Sequence, residues 1–181
     1  MKEFEKDSRL SVIFNRRSVR KYEDRPVERE KLELLLKAAM AAPSARNTKP
    51  WAFIVVDEPE AMNKLRDTMN FGKYNAPAAI IVCGDMNKAQ PGPKGLFWLE
   101  DTSAAMENLL VAAVGLDLGT VWLGSYPNDA QYPKLAEALN LPDNLIPMGV
   151  AYVGYPAEFP GARTQYDESV VYWQTYGGAK E

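Results

Sequence analysis

The order of apolar segments along the chain predicts a mixed helix-and-strand domain, α/β or α+β, with about four main strands and room for a fifth from the C-terminal tail. Three observations carry that reading. Stretches with apolar residues at helical spacing alternate with short runs that are β-branched, aromatic or wholly apolar. The chain of 181 residues, 46% hydrophobic and 25% charged, suits one domain on a prior of ~150 residues per domain. No internal repeat or low-complexity segment is present.

The first helix is expected over 30–42, where Leu32, Leu35, Leu36, Ala39 and Met40 recur on one face and Pro43 forbids continuation. A loop through Pro50 leads to a strand at 51–56, and a second helix opens at Pro59 and runs to about Met69. The run AAIIVC at 78–83 reads as a central strand covered on both faces. Prolines and glycines make 84–99 a mobile loop that controls access to a site. From 104 to 116 only Glu107 and Asn108 are polar, so that helix must be buried all round, which in a small domain calls for a second subunit. Strands at 120–123 and 148–153 flank a helix at 132–139. The tail carries Tyr172, Trp173 and Tyr176, a set of aromatics suited to packing on a partner chain.

Composition excludes several kinds of chemistry. Histidine is absent and cysteine occurs once, at Cys83. A histidine general base, a Ser-His-Asp or Cys-His nucleophile, a metal site with nitrogen ligands, a disulfide framework and an iron–sulfur cluster are all ruled out. Cys83 lies in an apolar strand and reads as inert core. There is no GxGxxG or GxxxxGK[ST] motif. An enzyme built on this chain works with carboxylates, lysine, tyrosine or a borrowed cofactor. The charged N-terminus MKEFEKDSR has no signal-peptide apolar run, and the longest apolar stretch, 109–116, falls well short of the ~20 residues of a membrane span, so a cytoplasmic location is expected.

Between residues 9 and 25, six basic residues (Arg9, Arg16, Arg17, Arg20, Lys21, Arg25) stand against Glu23 and Asp24, in a chain of formal charge −3. A positive island of this size suits a compact anion such as a phosphate and is too small for general nucleic-acid binding. Taken in isolation, it also reads as a solvated helix end.

Four motifs follow one another: RRSVRKY at 16–22, APSARNTKPW at 42–51, GLDLGTVWLGS at 115–125 and VAYVGYP at 150–156. In order and spacing they resemble the flavin-dependent nitroreductase family, over about residues 11–168. The resemblance implies a single α+β domain over 1–181, a three-layer fold with a central, mostly antiparallel sheet flanked by helices. It further implies a homodimer with shared active sites, each tail from about 167 packing on the partner subunit.

By the same resemblance the cofactor is FMN, with NADH or NADPH as transient reductant. Arg16 and Ser18 then bind the phosphate, Arg20 lies nearer the ribityl chain and the N1/O2 edge, and Arg17 holds a matching position. Arg16 and Arg20 would share a face if the segment is helical. Asn70 and Lys73 face the pyrimidine edge, although alone they read as a helix end and an exposed lysine. Pro43, Ser44, Ala45 and Asn47 form a polar rim that reaches the flavin held mainly by the other subunit. Leu123, Gly124 and Ser125 bring backbone close to N5, glycine allowing the approach. Arg163 reaches the phosphate, whereas Gln165 stands where relatives place a second cation and weakens that contact. Tyr74, Phe97 and Trp98 either line the substrate side or serve as packing anchors.

No catalytic side chain and no metal are required, because the hydride acceptor is flavin N5. Arg20 and Lys73 tune it, since a cation beside N1 and O2 favours the reduced cofactor. The activity expected is NAD(P)H-dependent reduction of nitroaromatics, quinones or related small acceptors by a ping-pong mechanism, with neither nucleic acid nor membrane as partner. The alternatives are a specialised flavoenzyme of the same superfamily, dehalogenase-like or flavin-fragmenting, and a flavin-binding protein without turnover.

Overall fold

A computed structural model of the chain describes residues 9–91, 96–163 and 165–178. Four strands, β1 (Trp51–Val56), β2 (Ala78–Asp85), β3 (Gly119–Gly124) and β4 (Leu145–Gly154), form one sheet in the order β1-β2-β4-β3, every pair antiparallel. The helices are α1 (Ser11–Asn15), α2 (Arg29–Met40), α3 (Pro59–Thr68), α4 (Phe97–Val114) and α5 (Tyr132–Ala138). Antiparallel pairing with helices on both faces makes this an α+β three-layer domain, as the motifs imply.

Alternation along β2 divides the interior. Ala78, Ile80 and Val82 face α2 and α4, where Leu35, Trp98, Met106 and Leu109 complete one core. Ala79, Ile81 and Cys83 face the other way, toward Met62, Leu65 and Leu135 of α3 and α5. β2 is buried along its whole length, which is why its sequence is apolar without alternation.

Several boundaries differ from the sequence expectation. Helix α2 stops at Met40 because Pro43 biases Ala42 away from helical backbone; the N–H groups of Ala41 and Ala42 bond three residues back and tighten the last turn. The loop expected at 84–99 is shorter at both ends. Gly84 remains in β2, and the missing side chain admits the Trp98 ring, since a Cβ there would stand 2.3 Å from Trp98 Cε3. Helix α4 begins at Phe97, seven residues before the expected start, and residues 92–95 lie outside the described ones. β4 begins at Leu145 despite Pro147, because the β2–β4 register slips between Val82 and Cys83 and leaves Met148 as a bulge. The wholly buried helix expected at 104–116 is buried on one broad face, with Ala104, Val111 and Ala112 half-exposed and Glu107 exposed.

The arginine motif is extended, not helical. After α1, Ser18 forms a parallel bridge with Thr120 of β3, and the Val19 N–H donates to the Thr120 carbonyl at 2.9 Å. Residues 18–19 thus lie on the outer edge of β3, and the chain then passes to residues 155–157 beyond β4, where Tyr22 bridges Pro156 and the Glu23 N–H donates to the Tyr155 carbonyl at 2.9 Å. Val19 and Tyr22 both enter the core of the α3–α5 layer, with exposed Arg20 and Lys21 between them, so the spacing of Arg16 and Arg20 is not that of a helix face.

Candidate functional site

Val19 anchors the arginine segment. Its side chain enters the core against Gly119, where a Cβ would stand 2.7 Å from it. Burying Val19 turns its neighbours Ser18 and Arg20 outward. Arg20 is exposed, and Arg16 is half-buried, 3.7 Å from Glu107 on α4. Arg17 donates to the Gly161 carbonyl and so helps to hold the late segment in place. The Arg163 N–H donates to the Phe14 carbonyl at 3.2 Å, which puts Arg163 beside the start of the motif. Gln165 is exposed further along.

The downstream end of the motif meets the segment after α3. Asn75 Oδ1 accepts from the Tyr22 N–H at 3.1 Å, and Asn75 Nδ2 donates to the Tyr22 carbonyl at 2.8 Å. This two-way amide pairing brings residues 70–75 alongside 16–22. Gly72, at φ 69°, lies so close to Leu123 that a Cβ would meet Leu123 Cδ1 at 2.7 Å. The left-handed backbone and the close approach both require glycine. Lys73 is exposed and has no partner among the described residues.

Asn70 is held by Gln131, which is fully buried and accepts the Asn70 N–H at 2.9 Å. Asn70 Nδ2 also donates to the Ala130 carbonyl at 3.2 Å, leaving its Oδ1 and one amide hydrogen to act outward. Gln131 and Asn75 were not singled out in the sequence. Isolated polar residues outside any motif carry no signal until the fold buries or pairs them.

At the end of β3 the expectations divide. Gly124 is exposed and a Cβ built on it meets nothing within 4 Å, so open space adjoins its backbone. Leu123 is buried in the core and offers only backbone. Ser125 is corrected to a structural residue: its side chain is fully buried and donates to the Pro147 carbonyl, and its N–H donates to Met148 at the bulge. Neither Ser125 donor is left for a ligand.

The loop with Pro43, Ser44, Ala45 and Asn47 is a tight turn with Arg46, Asn47 and Lys49 at φ 50°, 57° and 49°. Three non-glycine residues in the left-handed region persist only when their surroundings hold them. Ser44 Oγ accepts from the Lys49 N–H, the Ser44 carbonyl from the Asn47 N–H, and Asp101 Oδ1 of α4 from the Ala45 N–H at 2.8 Å. Among the described residues, no hydrogen bond or ion pair joins this loop to the arginine segment. Each attaches to its own part of α4, Asp101 and Glu107 standing six residues or about 9 Å apart along the axis.

Of the three aromatics, Trp98 takes the packing-anchor alternative: it is 3% exposed and packs edge-on against Tyr126 at 5.0 Å. Phe97 is 41% exposed, and half-buried Tyr74 meets Tyr152 edge-on at 6.3 Å. The described residues include no group of three or more potential metal ligands and no helix long and apolar enough to cross a membrane.

The family model described as Nitroreductase family matches residues 13–70 and 66–155. The chain belongs to the nitroreductase family. It is 45% identical over 151 residues to a provisionally named NADH dehydrogenase/NAD(P)H nitroreductase of Archaeoglobus fulgidus, covering 82% of this chain and 86% of that protein. A crystal structure of a provisionally named NADH dehydrogenase/NAD(P)H nitroreductase from Bacteroides thetaiotaomicron superposes with TM-score 0.86 at 35% identity, over 94% of this chain and 99% of that one. An FMN-dependent nitroreductase from Clostridium difficile does so with TM-score 0.81 at 31% identity, over 91% and 98%. These nitroreductase-family relatives share the antiparallel sheet with its flanking helices.

Proposed function

We propose that this protein is an NAD(P)H-dependent flavin oxidoreductase that binds FMN along the outer edge of β3 and reduces nitroaromatics, quinones or activated alkenes. One observation carries the reading. In a chain of the nitroreductase family, the arginine-rich segment is bridged at Ser18 to Thr120 of β3 and joined through Tyr22 and Asn75 to the stretch that carries the exposed Lys73. The donor set fits the group: paired guanidinium donors and a hydroxyl suit a phosphate monoester, and a glycine with empty space beside it suits a planar ring.

Bound there, FMN supplies the reversible two-electron carrier that a chain without histidine and with a buried thiol does not itself provide. Arg16 and Ser18 hold the phosphate, and Arg163 adds a cation from the segment fastened to Phe14. Arg20 and Lys73 place positive charge at the ring's polar edge, which stabilises negative charge there more than a neutral edge. Gly124 keeps the ring's surroundings clear. One open face serves reductant and acceptor in turn, which is a ping-pong order, and stacking tolerates varied planar acceptors because few polar groups select among them.

Each site is completed by a second copy. The 43–47 loop offers polar groups that its own chain does not bring to the arginine segment, and Tyr166, Val170, Tyr172, Trp173 and Tyr176 lie exposed on the tail. A homodimer with the tail on its partner covers these aromatics and supplies the rim from the other subunit; residues 179–181 of the tail lie outside the described ones.

The test is the purified protein itself. Its absorbance spectrum should show bound flavin, released on denaturation as FMN, and anaerobic mixing with NADH or NADPH should bleach it within seconds. Bound flavin that neither nucleotide bleaches would leave a binding protein without turnover, and absence of any flavin affinity would remove the reading altogether.

A further inference from the structure

Asp101 is a buried carboxylate that the flavin chemistry leaves unused. It lies on α4 with 5% of its surface exposed, Oδ1 accepting the Ala45 N–H at 2.8 Å and Oδ2 buried with no partner. No salt bridge compensates it among the described residues. A buried carboxylate with one unpaired oxygen is costlier to hold than an apolar side chain, so packing gives no reason for aspartate here.

What Asp101 touches supplies a reason. Ala45 opens the turn in which Arg46, Asn47 and Lys49 all adopt left-handed backbone. The other bonds of that turn are local: Ser44 to Asn47 and Lys49, and Ala45 to Thr48. Local bonds set the turn's shape but not its place relative to the helices. The bond to Asp101 is the one described hydrogen bond that ties residues 44–49 to α4. A carboxylate is a stronger acceptor than an amide or hydroxyl, which suits an anchor for a strained loop.

We infer that Asp101 is a positioning residue for the cofactor: by holding the Ala45 N–H it fixes the left-handed 44–49 turn in the pose that presents its polar rim to the flavin of the partner subunit. This rests on the FMN-binding homodimer proposed above.

The test combines Asp101→Ala and Asp101→Asn in the full-length chain, read by amide hydrogen exchange of residues 44–49 and by FMN affinity from flavin fluorescence. Asp101→Ala should speed exchange in the turn by about tenfold or more while β2 and β4 stay protected, and weaken FMN binding by about tenfold, as loss of a bond to a charged acceptor implies. Asp101→Asn keeps an acceptor for Ala45 and should restore most of both. Unchanged exchange in Asp101→Ala overturns the anchor, and faster exchange with unchanged FMN affinity overturns its role toward the cofactor. If Asp101→Ala does not fold, the near-isosteric Asp101→Leu, which offers no acceptor, takes its place: a loosened turn with weaker FMN binding supports the inference, and wild-type exchange overturns it. Wild-type protein that binds no FMN defeats the functional reading instead, and the exchange comparison still reports whether Asp101 anchors the turn.

Discussion

The backbone N–H of Arg163 donates to the carbonyl of Phe14 at 3.2 Å, fastening a late stretch of the chain beside the residues that open the arginine run. The backbone of Arg163 is thereby brought beside the start of the arginine run, although 147 positions separate Arg163 from Arg16 in sequence. Arg16→Ala combined with Arg20→Ala should strip FMN from the purified protein, and Arg163→Ala alone should weaken binding by about tenfold, the usual scale for one charge-assisted contact. Flavin absorbance after gel filtration measures both. Full yellow colour in the double variant would show that the clamp lies elsewhere.

Gly124 and Gly84 should respond to alanine in opposite ways. Nothing lies within 4 Å of a Cβ at Gly124, so Gly124→Ala should leave the melting temperature of the flavin-free protein nearly unchanged while weakening FMN binding. At Gly84 the same methyl collides with Trp98, which should cost ~1–3 kcal/mol of stability as overpacking does. Thermal melts with and without FMN separate the two cases. A large loss of flavin-free stability in Gly124→Ala would contradict the assignment of open space.

Glu28 ties stability to acid pH. Its carboxyl is held down at about 2, chiefly by the hydrogen bond from the Tyr155 hydroxyl at 2.6 Å, with its own backbone N–H and Arg25 helping. Because the folded value lies below the ordinary 4.5, the stabilisation is complete above pH 4.5 and fades as pH falls toward 2. Tyr155→Phe removes the largest cause. The difference in Tm between wild type and Tyr155→Phe should therefore narrow on going from pH 5 to pH 2, and a constant difference would mean that Glu28 is not responsible.

Cys83 should be silent toward thiol reagents. Burial in β2 pushes its thiol up to about 12, leaving almost no thiolate at neutral pH. Iodoacetamide at pH 8 should modify native protein negligibly, leave flavin content intact, and react fully once denaturant is added. Rapid labelling of native protein would show that β2 opens far more often than its burial implies.

Much of the fold was legible because burial leaves a mark on composition. The AAIIVC run announced β2, and Pro59 announced α3. The parts that were not legible turn on contacts between distant residues. Pro147 reads as a strand boundary until the bulge at Met148 accommodates it, and Gly84 reads as a turn until Trp98 fills its missing side chain. In the candidate site, the motifs singled out the arginines, Gly124 and Ser125. They misassigned Ser125, because nothing local shows that its hydroxyl turns back to Pro147. Spacing of four between Arg16 and Arg20 fits a helix and a strand alike, and only the bridge from Ser18 to Thr120 decides for the strand. Asp101, Asn75 and Gln131 gave no sign at all, since a lone polar residue becomes informative only when its surroundings are known.

The sheet also separates two interiors. Leu35 and Leu135 sit fully buried in different cores, divided by β2 and β4. Cavities opened at both should lower stability by the sum of the single effects, to within ~0.5 kcal/mol. Over evolutionary time that independence lets one half of the molecule accumulate substitutions while the other stands still. A designer can likewise rebuild the α3–α5 layer for heat tolerance without reoptimising the layer that carries Asp101.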